Sequence, residues 1–198
     1  MLGVNMPRIV DREERRRTVA DVAAQLVADG GVDAVTVRDV AAKAGTSTAI
    51  VSHYFRDKQE LLMFTFAEMA GRARARVEAA LAQDPSDLFG LCEALSPLDE
   101  DRRREWRVWI AFWGAATGDP DLAEQQRLRV AATRATIADA VLKARPGTTR
   151  AQAANDARRI LALVTGMAAQ AVFDRNDWPP ARQRRLLRTE LSDDRSRR

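Results

Sequence analysis

The sequence predicts an all-α fold, with a three-helix N-terminal head over residues 11–57 and a larger helical body over residues 58–191. Three observations carry this expectation. Apolar residues recur at helical spacing in most segments, and no stretch alternates apolar and polar residues as a half-buried strand does. Helix stop and start signals punctuate the chain at Gly30-Gly31, Asp84-Pro85, Ser96-Pro97, Gly118-Asp119-Pro120, Arg145-Pro146-Gly147 and Trp178-Pro179-Pro180. Residues 36–60 read as two short helices around a glycine-containing turn of about four residues, with a third helix starting at once.

Taken in order, residues 1–10 show no periodicity and read as a flexible lead-in. A helix starts near Asp11, carries Val19, Val22, Ala23, Leu26 and Val27 on one stripe, and stops at Asp29-Gly30-Gly31. Thr36 is an N-cap with Asp39 as its capping-box partner. Val37, Val40, Ala41 and Ala44 form the next stripe, and Gly45 supplies the positive φ that a helix end favours. Thr46 or Ser47 caps the following helix, whose inner face is assigned to Ile50, Val51 and Tyr54. Asp57 with Glu60 opens a long helix over about residues 58–81, on the order of 35 Å at the usual rise. Asp84-Pro85 reads as the cap and first position of the next helix. Residues 99–117 give a helix that is acidic first and aromatic later, and residues 120–144 another, where Ala131, Ala135 and Ala138 permit close packing. Thr148 or Thr149 opens a helix to about Asp174, residues 181–191 form the last one, and the tail 192–198 reads as disordered.

With 198 residues, 46% hydrophobic and 30% charged, the chain has the balance of a globular protein able to bury a core. Its formal net charge is +4. Residues 1–60 nevertheless carry as many acids as bases, so any affinity of the head for an acidic polymer must rest on placed groups and not on bulk charge. A single cysteine, Cys92, excludes an internal disulfide and suits a reducing cytoplasm. No signal-peptide pattern opens the sequence, and the most apolar run, near residues 160–173, is shorter than the roughly 20 residues of a spanning helix. The expectation is a cytoplasmic protein with no membrane partner. There is no glycine-rich phosphate loop, no metal-ligand cluster and no nucleophile with a partnered base, so no enzyme, cofactor or metal is expected.

A helix, a short turn and a second helix is the arrangement that sets a recognition helix into the major groove of double-stranded DNA. The start of the second helix then faces the DNA. Ser47 can donate to a phosphate, Thr48 can reach a base edge or a thymine methyl, and Ala49 permits close backbone approach. Ser52 and His53 fall on the outer side. The Tyr54 ring can pack while its hydroxyl reaches a phosphate. Thr36 and Lys58 stand at helix N-termini, where the backbone dipole favours anions.

Residues 44–58, Ala-Gly-Thr-Ser-Thr-Ala-Ile-Val-Ser-His-Tyr-Phe-Arg-Asp-Lys, closely resemble the DNA-binding signature of TetR-type repressors, and their second half resembles the choline-responsive BetI branch. Trp106 with the run Trp-Ile-Ala-Phe-Trp, residues 109–113, resembles the BetI-type C-terminal domain. Thr46 stands where the family usually has valine, Ala49 where glycine is frequent, and Ser52 where tyrosine is usual, a replacement shared by BetI-like members. The resemblance implies a phosphate contact for His53, a homodimer on a near-palindromic operator, and a small-molecule effector, with a quaternary ammonium or hydrophobic cation favoured.

Trp106, Trp109 and Trp113 lie within a sector of roughly 60° on one helix, with Ile110 beside them. Two readings stand: core packing at a helix seam, or the wall of a pocket for a hydrophobic ligand or a quaternary ammonium held by cation–π attraction. Between residues 161 and 172 large apolar residues alternate with Gly166 and alanines. This resembles the family's dimerising four-helix bundle and nominates Leu163, Gly166, Met167, Gln170 and Trp178 for the dimer interface; internal packing against the Trp helix is the other reading. The function expected is a ligand-responsive transcriptional repressor, with an effector-independent architectural or activating regulator as the alternative.

Overall fold

A computed structural model describes residues 7–193 of the chain. Within them are nine helices and no strand: α1 Pro7–Gly30, α2 Val37–Lys43, α3 Thr48–Tyr54, α4 Lys58–Gln83, α5 Leu88–Leu95, α6 Glu100–Ala116, α7 Pro120–Ala144, α8 Arg150–Phe173 and α9 Pro180–Asp193. Side-chain caps set most of the boundaries. Thr36, Ser47, Asp57, Asp87, Asp99, Asp119 and Thr149 each accept a backbone N–H of the first turn that follows. Thr149 and Gln152 close a full reciprocal capping box. Gly31, Gly45 and Gly147 hold φ of 78°, 64° and 85° at three of the helix ends, where a Cβ would be strained.

Four details depart from the sequence reading. Helix α1 already begins at Pro7, a residue suited to a first turn because the N–H it lacks would have no helical partner; residues 1–6 of the expected lead-in lie outside the described residues. Asp84 ends α4 and does not open α5. Its carboxylate takes the backbone N–H and hydroxyl of Ser86 in a turn, and Asp87, three residues on, is the cap. Ile50 points outward at 45% exposure, leaving Val51 as the buried anchor of α3. Ser192 and Asp193, assigned to the tail, still belong to α9, and residues 194–198 lie outside the described residues.

Two hydrophobic cores form. The first joins α1, α2 and α3 to the upper half of α4 and to α6, through Val27, Val40, Val51, Phe55, Leu61, Phe66, Val108, Trp109 and Phe112. The second joins the lower end of α4 to α5, α7, α8 and α9, through Val77, Leu91, Ile137, Ala153, Ala157, Val164, Met167 and Leu187. Helix α4, 26 residues and about 39 Å long, runs through both. The paired guanidinium of Arg76 and carboxylate of Glu105 (3.0 and 2.6 Å) tie α4 to α6 between the cores, and Arg76 also donates to the Ala94 carbonyl at the end of α5. Arg145 and Asp156 (2.9 Å) join the end of α7 to α8. Cys92 is fully buried in the second core, and burial, with the Asp87 charge nearby, pushes its thiol up to about 12, so it stays protonated and unreactive.

Candidate nucleic-acid interface and ligand cavity

The head presents the short α3 on its surface. Ser47, Thr48, Ala49, Ser52 and His53 are exposed, and Thr46 and Tyr54 are half-buried. Ser47 Oγ accepts the N–H of Ile50 (3.3 Å), which still leaves its hydroxyl proton to donate. The rings of His53 and Tyr54 meet edge to face at 5.2 Å. Thr36 Oγ1 accepts the N–H of Asp39 (3.1 Å) and donates to the Asp39 carboxylate (2.5 Å). Lys58 Nζ reaches the Asp33 carbonyl at 3.4 Å and so rests over the loop before α2.

The neutrality of the head has a structural form. Arg16 pairs with Glu60 (3.4 Å) while its guanidinium lies over Phe55 and Phe64, at 5.0 and 4.4 Å from the ring centroids. Lys43 pairs with Asp29 and Arg56 with Asp57. Asp57 accepts the N–H of Glu60, which, followed by the Arg56 side chain, holds its carboxyl below the ordinary range. Two exposed residues were missed in the sequence reading. One is Arg38 on α2; the other is Ile50, which the sequence reading placed on the inner face because a helix of seven residues leaves the phase of the apolar stripe undetermined.

In the body, a half-open cavity of about 450 Å³ lies between α4, α5, α6 and α7. Phe66, Trp109 and Phe112 of the first core form one wall, and Val77, Leu91 and Ile137 of the second form the other. Arg74, Glu78, Gln125 and Leu128 are exposed at its mouth. Phe66 and Phe112 touch at 4.2 Å between centroids, and Trp109 stands edge-on to Phe112 at 6.0 Å. Arg129 of α7 also lines the cavity. Its guanidinium carbon sits 3.8 Å from the centroid of the Trp109 ring, and burial lowers its pKa to about 10.

The three tryptophans therefore divide. Trp109 lines the cavity, whereas Trp106, Ile110 and Trp113 do not. Trp106 and Trp113 stack edge to face at 5.7 Å, and Trp106 Nε1 donates to the Leu95 carbonyl at 2.8 Å. The buried stripe of α6 is Glu105, Val108, Trp109, Phe112 and Ala116, one position round the helix from the stripe read in the sequence. Glu105 is what hid it: a carboxylate inside an apolar face reads as outward until its partner Arg76 is known. Phe112, named in the sequence only as part of the aromatic run, stands with Phe66 and Trp109 in the wall.

Along α8, Ile160, Val164, Met167, Ala168 and Ala171 face inward. Met167 is thus buried within its own chain, at 3% exposure, and does not reach the outer face on which it was expected. Gly166 and Gln170 are exposed, Leu163 is half-buried, and Phe173, unnoticed in the sequence, is 77% exposed. Trp178 packs partly against the second core. Among the described residues no group of histidine, cysteine, aspartate and glutamate side chains could hold a metal, and no helix is long and apolar enough to cross a membrane.

Residues 85–193, over half of the chain, match the model of the BetI-type transcriptional repressor C-terminal domain, and residues 19–63 match that of the bacterial regulatory proteins of the tetR family. The chain belongs to the TetR family. The HTH-type transcriptional regulator BetI of Escherichia coli K12 is 28% identical over 188 residues, spanning 92% of this chain and 95% of that protein. A transcriptional regulator from Rhodococcus sp. Rha1 superposes with a TM-score of 0.79 at 31% identity, over 89% of this chain and 94% of its own. A regulator from Saccharomonospora viridis solved in complex with choline gives 0.80 at 24%, over 91% and 96%; that likeness bears on the fold. As a TetR-family member the chain is a transcriptional regulator and not an enzyme.

Proposed function

We propose that the protein is a ligand-responsive repressor, acting in the cytoplasm as a homodimer on a near-palindromic operator and released when a small molecule fills the cavity between α4, α5, α6 and α7. The observation that carries the reading is the double membership of Phe66, Trp109 and Phe112, which are cavity wall and head core at once. A ligand that displaces them strains the packing that positions the head. On DNA, α3 enters the major groove with Thr46, Thr48, Ala49, Ser52 and Ile50 toward the bases, while Ser47 at its N-terminus donates to a phosphate. Thr36, His53, Tyr54 and Lys58 meet phosphates. The outer face of α8, with Leu163, Gly166, Gln170 and Phe173, meets its copy in a second chain. Two heads about 34 Å apart, or a multiple of that, then fit successive major grooves on one side of the duplex.

The resemblance implied a quaternary ammonium or hydrophobic cation as effector, and the choline complex of the Saccharomonospora viridis protein makes choline one arm of the test. Footprinting on the protein's own upstream region, with and without a panel of small cations, anions and neutral amphiphiles, should show a symmetric protected site that one class abolishes. A ligand that saturates the cavity yet leaves operator affinity unchanged would end the coupling between cavity and head.

A further inference from the structure

Taking the cavity as the effector site, as proposed above, we infer that it is built for an amphipathic anion, a carboxylate on an apolar body, received by Arg129, and not for a quaternary ammonium. Three observations lead there. The Trp109 face that could hold a cation is already covered by the guanidinium of Arg129, 3.8 Å from the ring centroid. No other face of that ring is free, because Trp109 is only 5% exposed, with Phe66 and Phe112 against it.

Among the described residues Arg129 has no counter-ion. Its hydrogen-bond partner is the neutral amide oxygen of Gln126 on its own helix (3.2 and 2.6 Å), and no carboxylate among the described residues pairs with it. A guanidinium withdrawn from water without an anion is destabilised, and a bound carboxylate relieves that by two charge-assisted hydrogen bonds in matching geometry. With a pKa near 10, Arg129 remains charged at neutral pH.

The rest of the lining fits the ligand's apolar part. Phe66, Val77, Leu91, Phe112 and Ile137 make the buried surface. The Thr133 and Thr136 hydroxyls donate to the carbonyls of Arg129 and Ala132 in their own helix, so they are already engaged. The one acid of the lining, Glu78, is exposed at the mouth, so no buried carboxylate of the lining is present to pair with an ammonium. A volume near 450 Å³ suits a single small amphiphile.

The test measures binding of three probes of equal tail to the full-length protein by calorimetry, below their micellar concentrations: decanoate, decan-1-ol and decyltrimethylammonium. Decanoate is expected to bind about tenfold or more tighter than either of the others. Arg129→Met should weaken decanoate by about tenfold and strengthen decyltrimethylammonium, whose headgroup gains the uncovered Trp109 face. Arg129→Lys, which keeps the charge, should stay closer to the parent, and the wild-type comparison of the three probes needs no variant. Ala132→Trp, at the exposed edge of the lining, should abolish binding of all three. If decyltrimethylammonium or decan-1-ol binds as tightly as decanoate, the anion is wrong while the cavity stands as the effector site. If no probe binds, or if Ala132→Trp changes nothing, both the anion and the cavity reading fall.

Discussion

The two cores of the molecule are made of different material. The first is knit by aromatic rings and β-branched residues: Phe66 on Phe112, Trp109 against both, and Val27, Val35, Val40 and Val51 all at or below 1% exposure. The second has no aromatic ring among its buried members; aliphatic side chains such as Leu91, Ile137 and Val164 fill it, and Ala140, Ala153 and Ala157 let α7 and α8 approach closely. Large interlocking side chains fix orientation, whereas small ones fix distance. The difference explains where space is left. The cavity opens at the seam, where bulky residues of one core meet the other core's Val77, Leu91 and Ile137 across a gap that neither set fills.

The contrast is broken most forcefully in the first core. Phe55→Ala, at a ring buried to 1% and clasped by Arg16 and Phe64, should cost about 3–5 kcal/mol in denaturant unfolding. Since α4 and α6 carry the first core onward, the loss is expected in a single cooperative transition; two resolved transitions would mean that the cores are independent. In the second core the sensitive direction is growth. Ala157→Leu should cost about 1–3 kcal/mol by overpacking, and a neutral result would show that α7 and α8 are not held at close approach. On the surface of the head the effects are electrostatic. Lys58→Ala should leave stability nearly unchanged and reduce the logarithmic salt slope of operator binding by about 1, read by anisotropy over a salt series. A changed base preference with an unaltered slope would remove Lys58 from the phosphate contacts.

The smallest expected effect concerns the start of α4, where the head joins the body. The Asp57 carboxyl lies below its ordinary 3.8 because it caps α4. A lowered folded-state pKa gives stability that is present above the unfolded value and is lost as pH falls through the folded one. Asp57→Asn, which can still cap, should therefore be slightly less stable than the parent at neutral pH and converge with it under acid, measured as denaturant midpoints at the two pH values.

Much of the fold was legible because caps and breakers are local. Thr36, Asp57, Asp99 and Asp119 each declare a helix start within four residues of sequence and cap one in the structure, and the two starts left open between Thr46 and Ser47 and between Thr148 and Thr149 fall to Ser47 and Thr149. What stayed hidden needs a distant partner. Glu105 belongs to a buried face only because Arg76, 29 residues away, reaches it. Asp84 and Asp87 are equally good caps until the turn at Ser86 selects between them. Nothing near Arg129 separates it from Arg127 or Arg134 on the same helix; its meeting with Trp109 does. The candidate recognition surface was readable by its motif, while the cavity was readable only as an excess of tryptophan.

The internal pairing of charges in the head also sets a tempo. A head whose lysines and arginines are matched by acids casts little long-range field, so capture of DNA from a distance is slow relative to a basic-armed protein. The same weakness lowers retention on the vast excess of unrelated sequence in a chromosome. On the proposed function, a molecule freed from its operator would return slowly and be held little on other sequences.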